Sequence, residues 1–201
     1  MSENKPTALE RFNEYYSIQD SLPMTVCALD SAQTLPSWDA FSQEVPEVFR
    51  LASELHSFDT ETQNSLRRLG ELGELMNSIL QQQNQKLNAL LGYVLRNEDT
   101  PEMRRTTVAF GAGGVRYVDN ASPLELGQNL LLKLFIPASP QQSMAAIYSY
   151  AEVAAIEQSE QGRVITLSFT RILEDDRELL VRASLHAQTR LLKKQASKRE
   201  Q

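Results

Sequence analysis

Met103–Val118, MRRTTVAFGAGGVRYV, is the stretch on which the fold class turns. Met103–Phe110 and Val115–Val118 carry the alternating, β-favouring side chains of two strands, and Gly111-Ala112-Gly113-Gly114 lies between them. The order reads as strand, tight turn, strand, because glycine reaches turn conformations that a Cβ forbids. Outward toward the C-terminus, Leu130–Ile136 is a third strand stopped by Pro137 and Pro140. Ser143–Ile156 and Arg163–Arg171 supply two more, joined through Ser159-Glu160-Gln161-Gly162. Five short strands at hairpin-like spacing predict a small antiparallel β-barrel. A closing helix starts near Asp175, with Leu180, Ala183, Ala187 and Leu191 on one face and Arg190, Lys193 and Lys194 in the last turns, where the helix dipole favours cations.

Toward the N-terminus the two-residue period fails at Asn97-Glu98-Asp99-Thr100-Pro101. Residues 50–97 contain no proline and repeat apolar side chains at helical spacing. One helix over this stretch would be about 70 Å long at about 1.5 Å per residue, more than twice the width of the domain that follows. Its stripe cannot then be covered from within the chain, and it predicts a homo-oligomer. The expected interface residues are Leu55, Phe58, Leu66, Leu69, Leu72, Met76, Ile79, Leu80, Leu87, Leu90 and Val94. The stripe widens along the helix beyond a two-stranded seam, which favours a bundle of more than two helices. Gly70 and Gly73 each cost about 1 kcal/mol relative to alanine inside a helix, so they mark a close backbone approach or a bend.

Residues 1–49 form an N-terminal segment. Leu9, Phe12, Tyr15 and Tyr16 predict an amphipathic helix over Ala8–Ile18, and Pro23–Leu29 predicts a short strand. Ser37 is placed to cap a helical turn carrying Trp38 and Phe41, and Pro46 suits the first position of the long helix. The expected organisation is α+β: an N-terminal segment over 1–49, an oligomerising helix over 50–97, and a barrel with its closing helix over 101–195.

Twenty-six acidic residues against twenty basic ones give a formal charge of -6, and no basic face is segregated along the chain, so nucleic-acid binding is not expected. No run of 18 apolar residues occurs, so no membrane insertion is expected either. Met1–Arg11 is polar and does not read as a signal peptide, which makes the cytoplasm the expected location. Cys27 is the single cysteine, and His56 and His186 have no partner at metal-ligand spacing, so neither a metal nor a nucleophilic pair is expected. The chain reads as a non-enzyme.

The second half resembles the PilZ domain, the small barrel with which bacteria sense cyclic di-GMP. Val108–Tyr117 lies where that family has a D/N-x-S-x-x-G turn followed by an apolar-Arg-aromatic run, and Gly127 precedes the long strand ending at Pro137 as it does in the family. Ala109 replaces the Asp or Asn, Gly111 replaces the serine, and Gly114 remains. Gly111, Gly113 and Gly114 are therefore assigned to the turn. The family's other motif, R-x-x-x-R just upstream of the first strand, has no counterpart with that spacing, and Arg104-Arg105 is the nearest substitute. Asn120-Ala121-Ser122 imitates the start of the turn motif, but Glu125 stands where glycine is needed.

Cyclic di-GMP is held by guanidinium forks on its phosphates and guanine edges, so the candidate ligand-binding residues are Arg104, Arg105 and Arg116. Adjacent arginines on a strand point to opposite faces, which argues against the family's standard binding mode. The resemblance implies an oligomeric effector or adaptor with degenerate nucleotide motifs that recognises an unknown protein partner. It also implies a tetramer, as in atypical members with a long N-terminal helix. The alternatives are a cyclic di-GMP receptor with a non-standard mode, and a generic coiled-coil adaptor whose residues 101–171 would not close into a barrel.

Overall fold

The computed structural model describes residues 6–29, 33–54, 66, 70–97, 100–138, 143–160 and 162–199. In chain order these form α1 (Ala8–Asn13), β1 (Ser17–Ile18), β2 (Pro23–Ala28), α2 (Trp38–Glu44), a helical stretch α3 over 47–54, and α4 (Gly70–Asn97). A 3-10 turn at Pro101–Met103 leads into β3 (Arg104–Gly111), β4 (Gly114–Val118), β5 (Asn129–Ile136), β6 (Ala145–Ser159), β7 (Gly162–Arg171) and α5 (Glu174–Arg199).

The strands run β3-β2-β5-β6-β7-β4, and β4 pairs back onto β3, closing a six-stranded antiparallel barrel. Alternation along β5 shows how the sequence drives closure: Leu130, Leu132, Leu134 and Ile136 are buried while the residues between them are not. They meet Phe110, Val115, Tyr117, Ile165 and Leu167 inside the barrel, and Leu180 and Ala187 of α5 complete the core with Ala183 and Leu191 against it, as their spacing predicts.

The sixth strand corrects the sequence reading. β2 lies between β3 and β5, with Met24 opposite both Arg105 and Leu134, so the barrel takes a strand from the segment set apart as 1–49. Nothing local to residues 23–28 indicates which strands they will pair with. The first helix is also shorter than expected. A capping box between Thr7 and Glu10 starts α1, which stops at Asn13, and Ser17 and Ile18 pair instead with Gly111 and Phe110.

The single helix over 50–97 is likewise corrected. Phe49 and Ala52 at its start and Leu91 and Leu95 near its end belong to one buried cluster, packed against Ala146, Tyr148 and Tyr150 of β6. A straight helix would separate Ala52 from Leu91 by about 58 Å, so residues 50–97 do not form one straight helix. Gly70, the first residue of α4, has a φ of +61°, a conformation that costs other residues dearly. The glycine flagged as a bend is thus a helix boundary. The helical segment is inserted between the first two barrel strands and returns to the barrel at both ends.

Aromatic packing on β6 holds that return. Phe41 is fully buried and packs on Tyr148 and Tyr150, while Glu44 accepts hydrogen bonds from the hydroxyls of Tyr148 (2.9 Å) and Tyr150 (2.5 Å). Ser37 caps α2 as expected, its hydroxyl oxygen accepting from Ala40 N at 3.3 Å. Trp38 stays half exposed, with the Arg171 guanidinium 5.0 Å from its ring centroid.

Two carboxylates have environments that make stability depend on pH. Asp176, 3% exposed in the first turn of α5, accepts a 2.9 Å hydrogen bond from the Ser53 hydroxyl. Burial, helped by Asp175 and opposed by Ser53, pushes its pKa up to about 6. Asp119 is also buried, which alone would raise its pKa. Hydrogen bonds from Ala121 N, the Ser122 hydroxyl and N–H, and Arg105 Nε (3.0 Å) outweigh this and hold it at about 2.

Because the Asp176 pKa is raised in the folded protein, its protonated form adds stability at low pH that is lost as pH rises through about 6. Asp176→Asn should therefore melt above the parent protein near pH 8, by the equivalent of about 2 to 3 kcal/mol, with the gap closing near pH 4 in scanning calorimetry. Asp119 has the opposite sign: its contribution is present above the ordinary carboxylate range and lost as pH falls toward 2. Asp119→Asn should cost about 2 kcal/mol near neutrality in urea melts, and the cost should fade under acid conditions.

Candidate functional site

The glycine turn is the point at which the N-terminal segment comes back to the barrel. β3 ends at Gly111 and β4 begins at Gly114, whose φ is +156°. A Cβ on Gly114 would lie 1.9 Å from the Leu167 carbonyl oxygen, and one on Gly113 would lie 2.4 Å from the Phe12 carbonyl oxygen. At Gly111 the obstacle is the Tyr16 carbonyl oxygen, 2.3 Å away. The turn predicted from sequence is present, and the glycines also let the backbone of residues 12–16 lie directly on it. Any side chain larger than hydrogen would lift that segment off.

Three guanidinium groups surround the turn. Arg116 on β4 stands over the Phe12 ring at 5.0 Å, and Arg177 of α5 stands over the Tyr15 ring at 5.1 Å while donating to the Ala112 carbonyl at 2.8 Å. Arg11 donates to Glu152 at 2.5 Å and to the Pro6 carbonyl at 3.0 Å. Beneath α1 the strands present a polar strip. Register sets Arg116 opposite Thr166, Gly114 opposite Ser168, and Ser168 opposite Glu152.

Within this strip Arg11 Nε, Arg116 Nε, Thr166 Oγ1, Ser168 Oγ and Thr170 Oγ1 are buried without a hydrogen-bond partner among the described residues. Each such group costs about 1 to 3 kcal/mol if left unpaired. The arrangement is suited to a polar or anionic group, with α1 as its cover.

Arg104, Arg105 and Arg116 are not brought together. Arg104 and Arg105 begin β3, opposite Thr25 and Met24, whereas Arg116 faces Ala109 four residues beyond Arg105, about 13 Å of strand away. Arg105 is engaged internally, donating from Nε to Asp119, from Nη1 to the Glu102 (2.6 Å) and Arg104 (2.9 Å) carbonyls, and from Nη2 to the Ser122 hydroxyl (3.2 Å). It ties the loop after β4 to the start of β3. Asn120, read as part of an imitation motif, accepts from Arg163 N at 2.9 Å and is a loop contact.

Sequence reasoning missed Arg11 and Arg177. A signal for Arg11 existed: once Pro23–Ala28 is taken as the first barrel strand, the segment just upstream of it is 8–18. That segment carries Arg11, with Tyr15 four residues on. Arg177 had no local signal, because α5 reaches the turn only in the folded chain.

The second sequence-predicted site is the apolar face of α4. Leu72, Met76, Ile79, Leu80, Leu87, Leu90 and Val94 are all exposed, Leu72 at 62% and Leu90 at 65%. Leu66 is buried within the chain at 8% exposure, which removes it from that face, and Leu55, Phe58 and Leu69 lie outside the described residues, as does His56. The stripe that α4 shields is instead Gly73, Asn77, Gln81, Asn84, Asn88, Leu91 and Leu95. Most of it is polar. Among the described residues no cluster of His, Cys, Asp and Glu could hold a metal ion, and no helix is long and apolar enough to cross a membrane.

No protein-family model and no curated protein matches the chain. Nine solved chains are similar to it, among them the following two. One is a pathogenic protein from Xanthomonas campestris described as a tetrameric PilZ domain self-assembled through a helical bundle, 15% identical over 90% of this chain and 95% of that one, with a TM-score of 0.46. The other is the inhibitor of motility of Bacillus subtilis (MotI/DgrA), 22% identical, with a TM-score of 0.40. It matches 43% of this chain and 42% of its own, so the match spans less than half of that protein. The fold of this chain is a closed antiparallel barrel of six strands, with a helical insertion between the first two.

Proposed function

We propose that the chain is a non-catalytic, oligomeric effector or adaptor of bacterial cyclic di-GMP signalling, acting in the cytoplasm. In this reading α4 assembles four copies and the barrels recognise a protein partner. The single observation that carries it is the inversion of α4: its polar stripe is the shielded one and its apolar stripe faces solvent.

Leu75 joins the exposed apolar residues, and together they span about 140° of the helix at about 100° per residue, wider than one two-stranded seam requires. Burying such a face contributes on the order of 10 kcal/mol, enough to hold an assembly together at micromolar concentration. Four linked barrels would bind a clustered target more tightly than one without any new contact.

A second reading gives the barrel a ligand, and the unpartnered polar strip favours it. Arg11, Arg116 and Arg177 would hold cyclic di-GMP in a non-standard mode, with Arg104 and Arg105 replaced in that role and α1 displaced. The generic coiled-coil adaptor is tied to residues 101–171 not closing into a barrel; these strands close only with β2 between β3 and β5.

Light scattering on the purified chain should give a stable tetramer, and Ile79→Lys with Leu87→Lys should give monomers of unchanged secondary structure; a parent chain that is monomeric throughout the micromolar range refutes the assembly reading. Calorimetric titration with cyclic di-GMP should show no saturable heat up to millimolar ligand. Saturable heat that disappears in Arg11→Ala with Arg116→Ala would instead establish the second reading.

A further inference from the structure

The barrel uses one face of α5 and leaves the outward half of the helix to solvent. Leu180, Ser184 and Ala187 are buried, with Ala183 and Leu191 packed beside them. On the outward half Val181, Leu185 and Leu192 fall within about 40° of one another at about 100° per residue, and they are 39%, 53% and 58% exposed. Arg182, His186 and Lys193 each follow one of these residues, so they form a second exposed stripe about 100° around the helix. The direction midway between the two stripes lies opposite the buried face.

Charge is divided sharply along the chain at this helix. Residues 179–199 hold six of the twenty Lys and Arg and none of the 26 Asp and Glu, so the remainder is more acidic than the total of -6 suggests. This run corrects the reading that no basic face is segregated along the sequence. Two of the six have acidic partners outside the run: Arg182 donates to Glu178 at 2.8 Å, and Arg190 pairs with Asp20. The first pair is open to water on both sides, at 55% and 60% exposure, and such pairs are worth little, so an anionic surface can compete for the guanidinium. The helix dipole acts within the last turn, which ends at Arg199. It accounts neither for Arg182 and Lys193, more than a turn earlier, nor for leucines held in water.

A nucleic-acid backbone or an acidic polypeptide would satisfy the basic stripe and leave Leu185 and Leu192 exposed. A bilayer with anionic headgroups satisfies both stripes, because leucines enter at headgroup depth while Arg and Lys reach sideways along their stems to the phosphates. The net acidity of the chain does not prevent approach, since charges are screened beyond about 8 Å at physiological ionic strength. We propose that α5 is a peripheral docking helix that lies on an anionic lipid surface, with Leu185 and Leu192 among the headgroups and Arg182 and Lys193 on their phosphates. The helix rests on the bilayer and does not cross it. The inference depends neither on assembly through α4 nor on cyclic di-GMP.

The test is co-sedimentation of the full chain with phosphatidylcholine vesicles, either pure or containing about one-third phosphatidylglycerol. The chain should sediment with the mixed vesicles and stay in solution with the neutral ones. Salt at about 1 M, where the screening length is about 3 Å, should reduce binding more than about tenfold. Arg182→Gln with Lys193→Gln should weaken binding at least about tenfold, because each cation at such a surface contributes about fivefold. Leu185→Gln with Leu192→Gln, which leaves the charge unaltered, should weaken it to a similar extent. Both double variants should melt as cooperatively as the parent, since all four positions are exposed. Lys86→Gln, which removes a charge from an exposed position on α4, should leave binding unchanged. Failure to sediment with the mixed vesicles, equal binding to neutral ones, or full affinity in the leucine double variant would each overturn the proposal. Tighter binding to a single-stranded oligonucleotide, retained by the leucine variant, would overturn it in favour of an electrostatic nucleic-acid contact.

Discussion

β3 is the strand on which the architecture depends, because it pairs with β2 and β1 along one edge and with β4 along the other. The pairing with β4 converts an open sheet into a closed barrel and leaves no free edge between the first and last strands. It also determines where the chain can go next. A tight glycine turn must follow β3, and the only room left around it is room that the glycines create by lacking side chains. The N-terminal segment takes that room, and a strand from before the helices is held beside one from after them.

The helical insertion follows from the same closure. Its two ends must return to neighbouring strands, so a helix that continued straight would carry the chain away from β3. α4 instead begins at Gly70, a glycine whose left-handed conformation other residues resist. The result is an amphipathic helix anchored through Leu91 and Leu95, with its leucine-rich face pointing away from its own barrel. Helix length alone no longer exceeds what the domain can accommodate, since α4 is about 42 Å long, but the orientation of its faces remains unexplained by intrachain packing.

The same inward and outward logic separates the two ends of β3. At the turn, guanidinium groups stack on Phe12 and Tyr15 over strand hydroxyls that lack partners, an arrangement stable only if the hydrophobic cover compensates for the polar layer below. At the other end Arg105 is fully engaged with Asp119 and Ser122, and the chain turns an apolar hollow toward solvent. Two arginines adjacent in sequence therefore serve different purposes. Arg105 is a structural tie while Arg104 is exposed, as the opposite directions of neighbouring side chains on a strand require.

Local pattern alone determined the strands of the barrel's second half, the glycine turn, the C-terminal helix with its buried face, the Ser37 cap and the existence of an apolar helical stripe. Each of these is written in a period or a capping residue within a few positions of where it acts. Tertiary structure decided the rest. Whether Pro23–Ala28 joins the barrel depends on pairing with residues about eighty and a hundred positions away, and no local pattern encodes such a partner. A glycine within a helical repeat has the same appearance whether it bends the helix or ends it, and the shared burial of Phe49, Ala52, Leu91 and Leu95 is what distinguishes the two. Arg11, Arg116 and Arg177 gather at the glycine turn and Arg104 and Arg105 do not, for the same reason: side chains from three elements converge only after the barrel has closed.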